Sequence, residues 1–396
     1  MFAQRTHWNL HANRLSEALA AQRAAGEPLI DLTISNPTEC GFHYDEKAIL
    51  AALQNPAALK YEPNPRGLVV AREAVQKYCA ERPAGGQGIA VDDIFLTTST
   101  SEAYSYIFRT LCDPGDEVLI PQPSYPLFEF LADIQDVHLV RYELVYDHGW
   151  QIDFHSLERA ITPRSRAVVV VNPNNPTGNY CQRVEMRQLN DICASRGMAI
   201  IADEVFLDFA LESEGAAEAV SPSFAGNDAA LTFALSGVSK ICGLPQMKVA
   251  WAVVSGAAPL KSPASERLEV IADTYLSLNA PVQWALPVLL ASRREFQKQL
   301  LERTRMNIAE LDRQLGKQSY VNRLKVAGGW NAVLRVPATQ SDEELALKLL
   351  SEQGVYVHPG HFYDFHREGY LVVSLITPVE EFARGIALVR DAVSLP

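Results

Sequence analysis

The sequence predicts an α/β protein with a large lobe, built on a mostly parallel sheet with helices on both faces, followed by a smaller α+β lobe. Three observations carry this. The chain has 396 residues, more than one ordinary core usually organises, so two packed lobes are expected. Between Ile94 and Ser255, short β-rich runs alternate with amphipathic stretches. Beyond about residue 315 that rhythm gives way to a mixture of strands and helices.

The β-rich runs are IFLTT, EVLIP, VHLVRY, RAVVVVN, MAIIADEVF, LTFALS and VAWAVVS. Several, RAVVVV above all, are apolar at consecutive positions, as a central strand covered on both faces requires. Asp113-Pro114-Gly115-Asp116 reads as a turn closing a helix. A second turn cluster, Pro173-Asn174-Asn175-Pro176-Thr177-Gly178, directly follows a strand, and loops at the carboxyl ends of parallel strands are where such sheets place ligands. From Pro263 a helical pattern runs to about Leu315, with breaks expected at Pro281 and Pro287. In the last quarter, GGWNAVLRV and GYLVVSLI read as strands. SDEELALKLLSEQG reads as a helix capped by Ser341 and stopped by Gly354. The small-residue stretch from Ala210 to Ala230 reads as a surface excursion.

Composition excludes several functions. With 35 basic and 47 acidic residues the formal charge is −12, which argues against a nucleic-acid partner or an anionic membrane surface. Six cysteines, Cys40, Cys79, Cys112, Cys181, Cys193 and Cys242, include no C-x-x-C pair, so neither a zinc site nor a disulfide framework is expected. No apolar run is long enough to span a bilayer. A cytoplasmic location is the expectation.

Four elements stand out in order: Ser99-Thr100-Ser101, Asn175-Pro-Thr-Gly, Asp203-Glu-Val-Phe, and Ser239-Lys240 followed by Lys248. Each lies where a buried strand ends. A carboxylate ending an apolar run, as Asp203 does, needs a partner because an unpaired buried charge is costly. The serine-threonine turn before the amphipathic run EAYSYIFRTL would present N–H groups and hydroxyls to an anion at a helix N-terminus.

With these motifs in this order, joined by LTISNPT, YEPNPRGLVVAREAV and PQPSYP, the chain resembles the class I/II aminotransferases, fold-type I enzymes that use pyridoxal 5′-phosphate (PLP). The resemblance covers nearly the whole sequence. It implies a large PLP-binding domain over 45–285, and a small domain combining an N-terminal arm, 1–44, with 286–396. It implies that Lys240 forms the Schiff base and moves the substrate proton, and that Asp203 pairs with the pyridine nitrogen. Asn175 would donate to the ring 3′-oxygen and Tyr125 would stack on the ring. Ser99, Thr100, Ser101, Ser239 and Lys248 would surround the phosphate, Lys248 standing where the family usually has arginine, with charge kept but the bidentate fork lost. Tyr61 would reach the phosphate of a neighbouring subunit, implying a homodimer with shared sites. The substrate pair would be an amino acid and a 2-oxo acid, approached by Ile34, Asn36, Asn175, Asn331 and His361.

The sequence also departs from the family pattern. Phe206 stands where many members have a tyrosine that reaches the 3′-oxygen. Gly237 replaces a serine, leaving Ser236 or Ser239 as substitutes. In GYLVVSL, Val372 occupies the position of the arginine that clamps the substrate carboxylate. Arg66, His358, His361 and Arg367 are the candidates to replace it. Loss of that clamp also keeps open a PLP-dependent lyase, elimination or replacement reaction on an unusual amino acid.

Overall fold

The computed structural model describes residues 1–82, 88–126, 128–211, 223–276, 278–316 and 319–393. Its centre is an eight-stranded sheet made of β1 (Ile94–Thr97), β2 (Glu117–Gln122), β3 (His138–Tyr146), β4 (Trp150–Ile152), β5 (Ser165–Val171), β6 (Ala199–Asp203), β7 (Thr232–Gly237) and β8 (Ala250–Ser255). Across the sheet the order is β1-β8-β7-β6-β5-β2-β3-β4. Strands β3, β2, β5, β6 and β7 are mutually parallel, while β8 runs against both β7 and β1.

Alternation along these strands divides the core in two. Leu119, Val168, Val170 and Ile200 join one cluster of buried side chains, and Val118, Ile120, Val169, Ile201 and Phe233 the other. The continuous apolar runs are therefore read by two layers of helices, as expected for strands buried on both faces.

The smaller lobe has a four-stranded antiparallel sheet. Its strands, β9 (Asn322–Arg323), β10 (Asn331–Arg335), β11 (His358–Pro359) and β12 (Tyr370–Ser374), are ordered β9-β10-β12-β11. Its core draws on Leu15, Ile30 and Leu32 as well as residues from Leu311 to Val389. The two ends of the chain thus share one core. Helix α1 (Arg14–Ala25) is capped by the Asn13 side chain, which accepts from the Ser16 N–H.

Two sequence expectations change. Pro287 does not break the helical run: one helix covers Ala280–Leu315, with Pro281 in its first turn and Pro287 inside it. Proline is tolerated where the N–H has no intrahelical partner, and at Pro287 the burial of Leu286, Leu289 and Leu290 holds the helix together. This helix starts against the large core and ends in the small one, so the expected boundary at residue 286 falls within continuous helix. The stretch after Ala210 is not surface throughout. Residues 212–222 lie outside the described residues, but Ser223, Phe224 and Ala225 are buried.

Candidate active site

The carboxyl ends of β5, β6 and β7 open into a cleft of about 460 Å³. Helix α2 (Thr100–Leu111) begins at its edge. Ser99 is the N-cap: its Oγ accepts from the Glu102 N–H at 3.1 Å, while the Thr98 N–H and hydroxyl donate to Glu102 Oε2 at 2.7 and 3.1 Å. This reciprocal cap fixes the first turn. Ser99, Thr100 and Ser101 all line the cleft, with the helix N-terminus presenting its N–H groups there.

Lys240 lies just beyond β7, in the four-residue helix α3 (Val238–Ile241). Loss of hydration lowers its ammonium to about 8, against the opposing pull of Asp203. Its Nζ lies 4.8 Å from the centre of the Trp330 ring and 5.7 Å from that of Phe206. Phe206 and Trp330 meet edge to face at 5.2 Å and form an apolar wall beside the amine.

Asp203 ends β6. Burial raises its carboxyl to about 6, while hydrogen bonds from the Val205 N–H (3.3 Å) and the Tyr104 hydroxyl (3.2 Å), and the charge of Lys240, favour the ionised form. Desolvation is the largest of these effects, so the ionised carboxylate calls for a further positive partner. Next to it, Glu204 faces a different environment. Its carboxylate accepts from the Ser223 hydroxyl and the Phe224 N–H at 2.6 Å, with Arg82 at 3.5 Å.

The turn after β5 is held by Asn174, whose amide donates to the Pro123 carbonyl and to Thr177 Oγ1 at 3.0 and 2.7 Å. That turn places Asn175 on the cleft wall, where its Oδ1 accepts from Asn331 Nδ2 at 2.7 Å. Its own amide N–H groups remain as donors. Tyr125, Ser239 and Ile34 complete this part of the lining.

The combination of a buried amine, a desolvated carboxylate, a capped helix N-terminus with hydroxyls and an amide donor suits an anionic, ring-bearing cofactor. It can hold a phosphate at one end and a cationic ring nitrogen at the other.

The aminotransferase class I and II family model matches residues 27–384. The chain belongs to this family. It is 30% identical over 372 residues to the alanine aminotransferase of Mycobacterium tuberculosis, covering 91% of this chain and 83% of that one. The glutamate-pyruvate aminotransferase of Haemophilus influenzae is 23% identical over 372 residues, covering 91% and 89%. Among solved structures, an alanine aminotransferase from Pyrococcus furiosus superposes with a TM-score of 0.85 at 23% identity, over 99% of both chains. The eight-stranded, mostly parallel sheet is the fold-type I architecture.

Not every residue expected at the site lines this cleft. Asn36 is used locally: its Oδ1 accepts from the Thr38 N–H and hydroxyl. His361 is exposed, its ring edge to face with Phe362 at 4.8 Å, and is not among the lining residues. Lys248 is exposed, with a left-handed backbone (φ 53°), outside the lining residues. Tyr61 is 76% exposed and lines a separate groove with Asn64, Leu276 and Trp284. Of the two possible serine substitutes, Ser239 lines the cleft, whereas buried Ser236 turns toward the Glu204 carbonyl at 3.4 Å.

Sequence reasoning missed Tyr104, Trp330, Phe362 and Tyr363. Tyr104 sits four positions after Thr100, hence on the same helical face, but so close to Tyr106 that only the packing distinguishes them. Trp330 adjoins Asn331, and its role appears only once β10 faces Lys240 across the lobes.

Proposed function

We propose that this aminotransferase-family enzyme moves an amino group between an amino acid and a 2-oxo acid, with PLP held at Lys240. The observation that supports this most is the pairing in one cleft of a lysine with a lowered ammonium pKa and an aspartate with a raised carboxyl pKa. When bound, the cofactor supplies an electron sink for the pair left on the substrate carbon as its proton departs.

The protein's own residues do the rest. Asp203 holds a proton-bearing ring nitrogen and keeps its positive charge in place. Ser99, Thr100, Ser101 and Ser239 anchor the phosphate, Asn175 donates to the ring oxygen, and Tyr125 covers one ring face. Once the substrate's amino group has displaced it from the cofactor, Lys240 Nζ would be a free amine, its ammonium pKa lowered by burial, able to take the proton from the substrate α-carbon and deliver it to the cofactor. The wall of Phe206 and Trp330 limits water around that amine.

Tyr61, exposed in its own groove, is available to a second subunit, and we extend the proposal to a homodimer with shared sites. Lys248 is assigned to the phosphate on the family resemblance. The six cysteines are all free, five of them buried, which fits a cytoplasmic enzyme. No helix among the described residues is long and apolar enough to cross a membrane.

The test is to incubate holoenzyme with a panel of L-amino acids. The expected result is conversion of the cofactor to its amino form with one equivalent of 2-oxo acid. Release of ammonia or a side-chain fragment instead would assign an elimination or lyase reaction. Lys240→Ala should lose the borohydride-reducible link, and its persistence would displace Lys240 from the role.

A further inference from the structure

The family resemblance places Val372 where an arginine would hold the substrate carboxylate, and the structure separates the four candidates to replace it. Arg66 is engaged elsewhere, with Nε and Nη2 on Glu269 Oε2 at 3.0 and 2.6 Å. Arg367 and His361 are exposed and do not line the cleft. His358 does line it. It is register-paired with Val372 across β11 and β12, and directly opposed residues in an antiparallel pair project to the same face. The imidazole therefore shares the strip of sheet on which Val372 stands. Asn331 and Ser374, themselves register partners one step along, also line the cleft.

The ring is held in place. Its Nδ1 lies 3.0 Å from the Tyr363 hydroxyl, and Tyr356, Phe362 and Tyr363 surround it at centroid distances of 5.6 to 5.9 Å. A Tyr363 O–H that donates to Nδ1 leaves the proton of the neutral ring on Nε2, and this is the tautomer that a carboxylate ligand at Nε2 selects. Among the described residues Nε2 has no hydrogen-bond partner. Among the described residues lining the cleft, Lys240 is the only lysine or arginine, and it is committed to the chemistry. Burial lowers the imidazole to about 4, so the ring of the free protein is neutral.

We infer that His358, oriented by Tyr363, is the residue that receives the α-carboxylate of the amino-acid substrate, with the Asn175 and Asn331 amides beside it. The substrate is thus held by hydrogen bonds from neutral groups rather than by a guanidinium fork. Such a clamp still distinguishes an acid from its amide, because the ionised acceptor makes the stronger bond. Tyr363 is a positioning residue: it fixes which imidazole nitrogen carries the proton.

This assignment rests on the aminotransferase reading, and the experiment keeps the two apart. Holoenzyme is given L-alanine or L-alaninamide, and conversion of the cofactor is followed at varied substrate concentration. Binding without turnover is followed with 2-aminoisobutyrate and its amide, which have no α-proton, by the change in cofactor absorbance. Wild-type protein should prefer the acid in both pairs. In His358→Phe that preference should fall by roughly 10- to 100-fold, the range for losing a hydrogen bond to a charged group, with the change in KM rather than kcat. His358→Gln, which places an amide N–H near the Nε2 position, should recover part of it, and Tyr363→Phe should lose a smaller part. Equal treatment of acid and amide by the wild type, or an undiminished preference in His358→Phe, would overturn the assignment. Failure of every amino acid to convert the cofactor would overturn the aminotransferase reading instead, and the 2-aminoisobutyrate pair would still decide the role of His358.

Discussion

The Tyr104 hydroxyl donates to Asp203 Oδ2 at 3.2 Å from the second turn of helix α2. The helix whose N-terminus faces the proposed phosphate site thus also braces the carboxylate proposed for the ring nitrogen, so on that proposal one element would set both ends of the cofactor. Desolvation lifts the tyrosine hydroxyl well above its ordinary pKa, which keeps it a donor. Tyr104→Phe removes a bond that favours the ionised Asp203, so its carboxyl pKa should rise further above about 6. A hydrogen bond to a charged group contributes on the order of 1.5–3 kcal/mol. PLP affinity should fall by roughly 10-fold or more at pH 6, and by less at pH 8 where the carboxylate ionises regardless. Equilibrium dialysis of PLP at the two pH values measures this, and equal affinities in wild type and variant would remove Tyr104 from the role.

Asp203 also predicts how cofactor-free protein responds to pH. Its carboxyl goes from an ordinary 3.8 to about 6 on folding, so the folded state binds the proton more tightly. Its contribution to stability is then fully present below about pH 4 and is lost as the pH rises through 6. The loss amounts to roughly 3 kcal/mol for a shift of this size. Asp203→Asn in the apo-protein should therefore gain on wild type as the pH is taken from 4.5 to 7, read by urea unfolding. With PLP present the order should reverse, because the variant cannot pair with the ring nitrogen. A gain that does not depend on pH would show that packing, not charge, is responsible.

The strands that carry Asp203, Asn175 and Lys240 were legible in the sequence because runs such as Ala167–Val171 are apolar on both faces, and few other structures bury such a run. The same reasoning could not see β4, β9 or β11, of two or three residues each, which are too short to show any period. This limit carries directly into the site. His358 and His361 are three residues apart and chemically identical in sequence; only the pairing of His358 with Val372 puts one in the cleft and leaves the other in solvent. Asn36 was similarly opaque, since whether its amide meets a ligand or caps its own turn is decided by backbone geometry.

Gly237 invites an obvious substitution, because the family resemblance implies serine there. A Cβ at this position would lie 2.9 Å from the Val249 carbonyl oxygen, 2.9 Å from Ala250 Cβ and 3.0 Å from Ala250 Cα. These are backbone and core atoms of the adjoining strand, which cannot turn aside as a flexible side chain would. Gly237→Ser should thus destabilise the protein by about 1–3 kcal/mol, the usual range for overpacking, and PLP affinity should not improve. Thermal unfolding with and without PLP measures both. A variant that is as stable as wild type and binds PLP more tightly would show that β7 and β8 can separate to admit the side chain.

Asp203 and Glu204 are neighbouring carboxylates with opposite needs. Glu204 is 1% exposed and already satisfied by Ser223, Phe224 and Arg82, while Arg82 also reaches Asp208 at 3.0 Å. Glu204→Ala leaves the buried guanidinium short of one anion, and breaking a buried pair in this way costs about 3–5 kcal/mol. Asp203→Ala removes a carboxylate whose charge burial already disfavours, and its buried neighbour Lys240, its ammonium already lowered to about 8, can shed its proton, so the apo-protein should be destabilised far less, while PLP binding is lost. The two variants should thus separate cleanly: one fails in urea unfolding and retains PLP affinity where it is folded, the other unfolds late and binds no PLP. If Glu204→Ala weakened PLP binding as much as Asp203→Ala, the internal partners of Glu204 would not be what fixes its role. The carboxyl end of β6 would then have to be treated as a single coupled site.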